Sequence, residues 1–315
     1  MITKQSFINL GWLSFINFLW GSQFPAYKLA SDYVNISALN TYIFIIALIV
    51  LLPFLVHERA TTRRLRAAQP APPRPRMIKS WLALASCLVP ASIGLSWGIA
   101  HSSGTNGAIL YLTVPVLMLI IAVPLLGERL TWMRIGTLLL SLAGAIVVSI
   151  DDLAGGKFTM STLLGNLAIF SGCLCSAFYN TYSKKMLERY SAIEILVFSD
   201  AIAAILCGVI SLWIDDKPFY DVSGIPVSAW VSIAALGSII WGVSMVMFLW
   251  LLKRVDVALV AVSLYLQAFF GVLLSALMLG ERLRVMQIIG ALTIAAATLL
   301  ADSYERREKN PAMAM

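Results

Sequence analysis

Charge is scarce in this chain. Of 315 residues, 12% are Asp, Glu, Lys or Arg, while 60% are apolar. A water-soluble domain carries about 25% charged residues. This chain could not cover its surface in water, so lipid is the expected solvent. Histidine occurs only as His57 and His101. No helix-length segment holds a His or carboxylate pair at metal or acid–base spacing. The expectation is therefore no enzyme: no catalytic residue, no metal and no cofactor. The four cysteines, Cys87, Cys173, Cys175 and Cys207, all fall in apolar runs. Cys173-Leu-Cys175 has no nearby histidine and makes a poor metal site, so the thiols read as small packing residues. A cleavable leader is also not expected, because Met1 to Phe7 holds one Lys and no small-residue cleavage site follows.

The net charge of +7 could suit nucleic acid, but its distribution argues otherwise. Basic residues gather between apolar runs, most densely from Arg59 to Lys79, without interleaved aromatics. That pattern fits lipid head groups and control of topology. No nucleic-acid partner is expected.

Crossing the hydrocarbon takes about 20 residues of helix. Ten stretches qualify: 8–29, 36–56, 79–101, 105–126, 132–150, 162–183, 192–214, 228–252, 257–279 and 285–302. They predict an all-α integral membrane protein. If the N-terminus is cytoplasmic, only Lys28, Lys157, Lys217, Arg282 and Arg284 of the 23 basic residues fall outside. The positive-inside rule then places both termini in the cytoplasm, in the cell (inner) membrane. Gln69 to Arg76 reads QPAPPRPR, which cannot be helical and predicts a cytoplasmic loop at 57–79.

Leu126-Gly127-Glu128-Arg129-Leu130 returns 153 positions later as Leu279-Gly280-Glu281-Arg282-Leu283. Ser37-Ala38-Leu39 opens the second stretch and Ser191-Ala192-Ile193 the seventh. Trp97-Gly98 and Trp241-Gly242 add a third pair. The chain thus divides into five-helix repeats at 1–155 and 156–315. Five is odd, so the second repeat enters from the opposite side, giving inverted topology and a route to alternating access.

These residues resemble the drug/metabolite transporter superfamily, in its ten-helix EamA-type branch. The likeness runs from Trp12 to about Ala301. It is carried by Leu19-Trp20-Gly21 followed by Lys28, by Pro115 followed by Gly127-Glu128, by Gly136, and by Gly280-Glu281 with Gly290. Two features depart from the family pattern. No Arg occurs between Tyr42 and Ile46, and Ala268 stands where the second repeat would match Pro115. The resemblance implies two inverted five-helix bundles around a central cavity lined by the first, third and fourth helices of each repeat. It also implies export of amino acids and other small metabolites, or drug efflux.

Asn17, Trp20, Gln23 and Tyr27 share one helical face, and Pro25 should kink that helix. Ser176, Tyr179, Asn180 and Ser183 form a second polar-aromatic stripe. With Trp97, Tyr111, Trp241, Tyr265 and Gln267 these are the candidate cavity residues. Tyr27 also reads as an interface aromatic. The implied cavity is aromatic and nearly uncharged, suited to neutral, zwitterionic or hydrophobic solutes. Asp200, mid-span in the seventh stretch, is costly in lipid by about 2.5–3.5 kcal/mol. It reads as a coupling or proton site, a contact for a substrate amine, or a structural hydrogen bond. Lys28 and Lys184 near span ends read as snorkelling side chains or as a gating pair. Glu128 and Glu281 read as cap residues opening the helices that follow them. Gly94-x-x-x-Gly98 and Ala291-x-x-x-Ala295 should allow close helix approach, the latter within the fold or in a homodimer.

The leading expectation is a secondary exporter of amino acids or related solutes. Hydrophobic-amine efflux is the alternative. A channel-like facilitator, which would need polar rings, and a membrane-embedded enzyme rank below it.

Overall fold

Apolar runs punctuated by charge become helices, because lipid leaves no other partner for the backbone amides. The computed structural model describes residues 4–68, 78–126, 131–154, 159–187, 190–252 and 257–309. Among these residues there is no strand. The first half supplies α1 (Lys4–Gly21), α2 (Gln23–Ser31), α3 (Ile36–Ala68), α4 (Ile78–His101), α5 (Gly104–Tyr111), α6 (Val114–Leu126) and α7 (Trp132–Ala154). The second supplies α8 (Met160–Met186), α9 (Ala192–Ile214), α10 (Val227–Ala234), a π-helical stretch (Ala235–Ser244), α11 (Met245–Leu252), α12 (Val257–Leu279) and α13 (Val285–Lys309). Among the described residues six stretches are long and apolar enough to cross a membrane: Ile36–Ala60, Lys79–His101, Gly104–Leu125, Met160–Met186, Ala192–Ile214 and Val227–Phe248. Shorter apolar helices run over Ile135–Val147, Leu266–Leu279 and Val285–Ala297.

The expected stretches at 192–214 and 257–279 coincide with α9 and α12. Two corrections concern helix length. α3 continues to Ala68 and α13 to Lys309, well past their expected ends. Charge ends the part that lipid can hold, but it does not end a helix. Arg, Leu and Ala after His57 are good helix formers, and the first proline comes at Pro70. The expected loop at 57–79 is therefore helical to Ala68. Its proline run, like Gly127 and Glu128, lies outside the described residues.

Two stretches expected as single helices are broken. α1 stops at Gly21 and α2 starts at Gln23, so the break sits at Ser22, three residues before Pro25. α5 gives way to α6 at Leu112 and Thr113, just before Pro115. Proline has no amide hydrogen and crowds the preceding turn, so each helix restarts with its proline in the first turn. The expected kink at Pro25 is thus a break just upstream of it. Tyr111 and Pro115 lie on separate helices.

Packing joins the halves closely. α3 lies against α9, α7 against α13, α1 against α12, and α4 against α8. The α4–α8 contact is backbone on backbone. A Cβ built at Gly98 would come within 2.6 Å of the Gly165 carbonyl oxygen, and one at Gly94 within 2.8 Å of the Ala168 carbonyl oxygen. The Gly94/Gly98 run therefore does what its spacing suggests. Gly144 of α7 meets Gly290 and Ile294 of α13 in the same way. Outward faces are oily, and Trp132 (87% exposed) and Trp213 (86% exposed) mark helix ends, where indoles favour the membrane interface.

Candidate functional site

The core gathers around the break at Ser22. Trp20, at the end of α1, donates its indole N–H to Ser244 Oγ at 2.8 Å. Its ring lies 4.8 Å from that of Phe248. One turn on, Phe24 is fully buried and meets Tyr111 edge-on at 5.9 Å. Phe24 also fills the space left by Gly107 and Gly271, where any Cβ would collide with its ring. Tyr27 is fully buried too, and its hydroxyl accepts a 3.0 Å bond from Trp241 Nε1. It is therefore not an interface aromatic. Tyr111 pairs with Ser176 Oγ at 3.0 Å. The result is a junction of six aromatic side chains from α1, α2, α5, the π-helical stretch and α11, held by hydroxyl and indole bonds.

The π-helical stretch explains the placing of Trp241 and Ser244. π-Turns are rare and concentrate at functional sites. Here Gly237 lies so close to α3 that a Cβ would sit 2.7 Å from the Ile43 carbonyl oxygen. The widened turn keeps that contact and still aims Trp241 and Ser244 toward α1 and α2. No pattern in the sequence announces it. Phe24, Ser244 and Phe248 are the members of the junction that sequence reasoning missed, although the spacing of the last two from Trp241 follows one helical face.

The other expected cavity residues scatter. Asn17 and Gln23 are buried, and Asn17 Nδ2 donates to the Leu13 carbonyl at 2.8 Å. Gln267 is buried on α12, where its carbonyl borders Gly21. Trp97, expected to be buried, is only half-buried and stacks on His101 at 4.0 Å, away from the junction. Asn180 is half-buried. Tyr179 turns from Ser176's side of α8 toward α9 and bonds Ser199 Oγ at 3.0 Å. The expected stripe on α8 is thus shared between two neighbourhoods. The Tyr265 side chain lies outside the described residues.

Asp200 is 1% exposed, and neither carboxylate oxygen has a hydrogen-bond partner among the described residues. Lys28 Nζ donates to the Ala100 carbonyl at the end of α4, at 2.6 Å, rather than to a carboxylate. Lys184 is exposed. Glu281 caps a helix, but not the one that follows it. Its carboxylate accepts the Gly104 and Thr105 N–H groups at 3.0 and 2.8 Å, at the start of α5 in the other half. Gly280 makes this reach possible by ending α12 at φ +67, in the left-handed region suited to glycine. Gln287 takes over at α13, accepting the Arg284 N–H at 3.0 Å and donating to Asn106 at 2.7 Å.

Nothing here is arranged for bond chemistry. Gly94-Leu95-Ser96-Trp97-Gly98 has the letters of a hydrolase nucleophile elbow. Yet Ser96 sits inside continuous α4, donating to Ser92 O at 2.7 Å and accepting from Asn40 at 2.8 Å. Among the described residues no three His, Cys, Asp or Glu side chains gather as a metal site. An apolar groove of about 710 Å3 lined by Ile49, Leu52 and Val56 lies on the outer side of α3, apart from the junction.

The model of the EamA-like transporter family matches residues 9–150 and again 163–301. The chain belongs to that family. It is thus a multi-pass membrane transporter of small molecules, not an enzyme. A probable terminal-alkyne amino-acid exporter of Streptantibioticus cattleyicolor is 25% identical over 285 residues, 89% of each chain. The uncharacterized transporter YcxC of Bacillus subtilis is 30% identical over 117 residues, only 37% of each chain. A solved structure titled "Crystal structure of protein" shares the fold, with a TM-score of 0.62 and 18% identity. It covers 95% of this EamA-like chain and 99% of its own.

Proposed function

We propose that this transporter exports amino acids or related zwitterionic and hydrophobic solutes by alternating access, as a secondary transporter. The observation that carries the reading is the aromatic junction of Trp20, Phe24, Tyr27, Tyr111 and Trp241. It offers ring faces and hydroxyls without a buried Lys or Arg among its members. Such surfaces hold an aliphatic or aromatic side chain, and they leave phosphorylated solutes unpaired. The amino-acid exporter among the relatives supports the same class.

Alternating access rests on the two repeats at 1–155 and 156–315. What supports their inversion is the direction of matched helices. Asp215 at the end of α9 accepts the Ala38 N–H at the start of α3, at 3.0 Å. Ser191 at the start of α9 donates to Glu58 far along α3, at 3.0 Å. These counterparts run antiparallel, as an axis in the membrane plane requires. Cytoplasmic termini and an inner-membrane address rest on the distribution of Lys and Arg. Hydrophobic-amine efflux is the second reading, favoured by Asp200, whose carboxylate has no partner among the described residues.

The test is flux of radiolabelled L-leucine, L-phenylalanine and a hydrophobic amine in proteoliposomes. Saturable movement of an unchanged amino acid is expected. Flux of the amine alone would move the assignment to the second reading, and single-channel currents would overturn both.

A further inference from the structure

We infer that Asp200 is a single-proton site, set beside the solute junction rather than in it, and linked to it through Phe44 and Trp241. This rests on the transport reading above. A carboxylate held in lipid needs a partner or a proton, and Asp200 has no partner among the described residues. It stands on the buried stripe of α9, with Ser199, Ala203 and Cys207. Opposite it, Tyr179 is the ionisable group in electrostatic contact. Ser199 gives its own hydroxyl hydrogen to the Ile195 carbonyl at 2.8 Å. Tyr179 must therefore be the donor in the Tyr179–Ser199 bond, and its oxygen keeps a lone pair, near Ser183, that can accept from a protonated carboxyl.

Other titratable groups stand apart. On α3, Glu58 is tied to Ser191, nine residues from Asp200 and so about 13 Å along the helix. Arg59 lies over the Phe198 ring on the exposed side of α9. His57 and Tyr42 of α3, Cys87 and Lys79 of α4, and Cys175 of α8 are further titratable groups on the neighbouring helices.

The link inward is continuous. Tyr179, Phe44, Ala203 and Cys207 form one buried cluster, against which Trp241 packs. Trp241 meets Phe44 edge-on at 5.4 Å and donates to Tyr27 in the solute junction. One proton adds to a carboxylate oxygen of Asp200 and later leaves; no other bond is made or broken. The change from anion to neutral acid alters what Tyr179 and the Phe44 cluster must accommodate, and Trp241 passes that change to Tyr27.

The test uses the full chain in liposomes. Infrared difference spectra across neutral pH should show one protonated-carboxyl band that titrates, and Asp200→Asn should abolish it. In L-leucine flux, Asp200→Asn should lose its response to a pH gradient yet keep exchange at equal pH. Trp241→Phe should keep the band and weaken the gradient response. A band that persists in Asp200→Asn, or flux in it that still follows the gradient, overturns the proposal. If that variant fails to fold, Tyr179→Phe decides: a shifted band midpoint is expected, and an unmoved one counts against the site. If the wild type carries no L-leucine, that solute is wrong, while the band still decides Asp200.

Discussion

Trp20 shows what a single side chain contributes here. Its ring packs on Phe248, and its N–H meets a serine that already donates to the Ile240 carbonyl at 2.5 Å. Ser244 can therefore only accept from the indole, so the bond has one direction. Trp20→Phe keeps most of the apolar surface and removes that donor. A buried hydrogen bond is worth about 1 kcal/mol net, so folding stability should fall by about that much. Thermal unfolding in detergent would read this, and an unchanged Tm would mean that the Trp20–Ser244 bond contributes nothing. The sequence named Trp20, Tyr111, Tyr179 and Trp241, because polar and aromatic groups stand out in oily runs. Their partners were not legible. Which hydroxyl Trp20 reaches, 224 residues away, depends on how the helices are laid together, and no local spacing encodes that.

Elements were easier to read than their interruptions. Apolar length and flanking charge locate most helices, since both follow directly from the thickness of the bilayer. The breaks at Ser22 and Thr113 were half visible, because proline disturbs the turn before it. The π-helical stretch was not visible, since it answers to the Ile43 carbonyl on another helix. The same reasoning separates glycines that look alike. Gly98→Ala would drive a methyl into the Gly165 carbonyl and the Ile169 backbone, and should cost about 1–3 kcal/mol through overpacking. Gly136 has nothing within 4 Å. Gly136→Ala should be neutral or stabilise by up to about 1 kcal/mol. Thermal unfolding in detergent compares the two. Equal Tm values would mean that the α4–α8 contact is not tight.

At the scale of the molecule, the polar ties sort into two ends. Lys28 with Ala100, Asp215 with Ala38, and Glu281 with Gly104 and Thr105 belong to one end. Glu58 with Ser191, and Lys185 with the Leu125 carbonyl, belong to the other. The doubled Gly-Glu segment should therefore face opposite sides of the membrane. Arg129→Cys and Arg282→Cys, each in a chain whose four native cysteines are replaced, test this with a membrane-impermeant thiol reagent. Arg282→Cys should label in intact cells and Arg129→Cys only after permeabilisation. Labelling of both from one side would rule out inverted halves.

Glu281 grips amide hydrogens rather than any side chain. Its hold is therefore indifferent to the chemistry displayed at position 105 and is lost only to proline, which has no hydrogen to offer. To part Glu281 from α5, solvent must reach a carboxylate and two amides. If this end opens outward, as proposed, it should open abruptly, as a catch releases, instead of loosening by degrees.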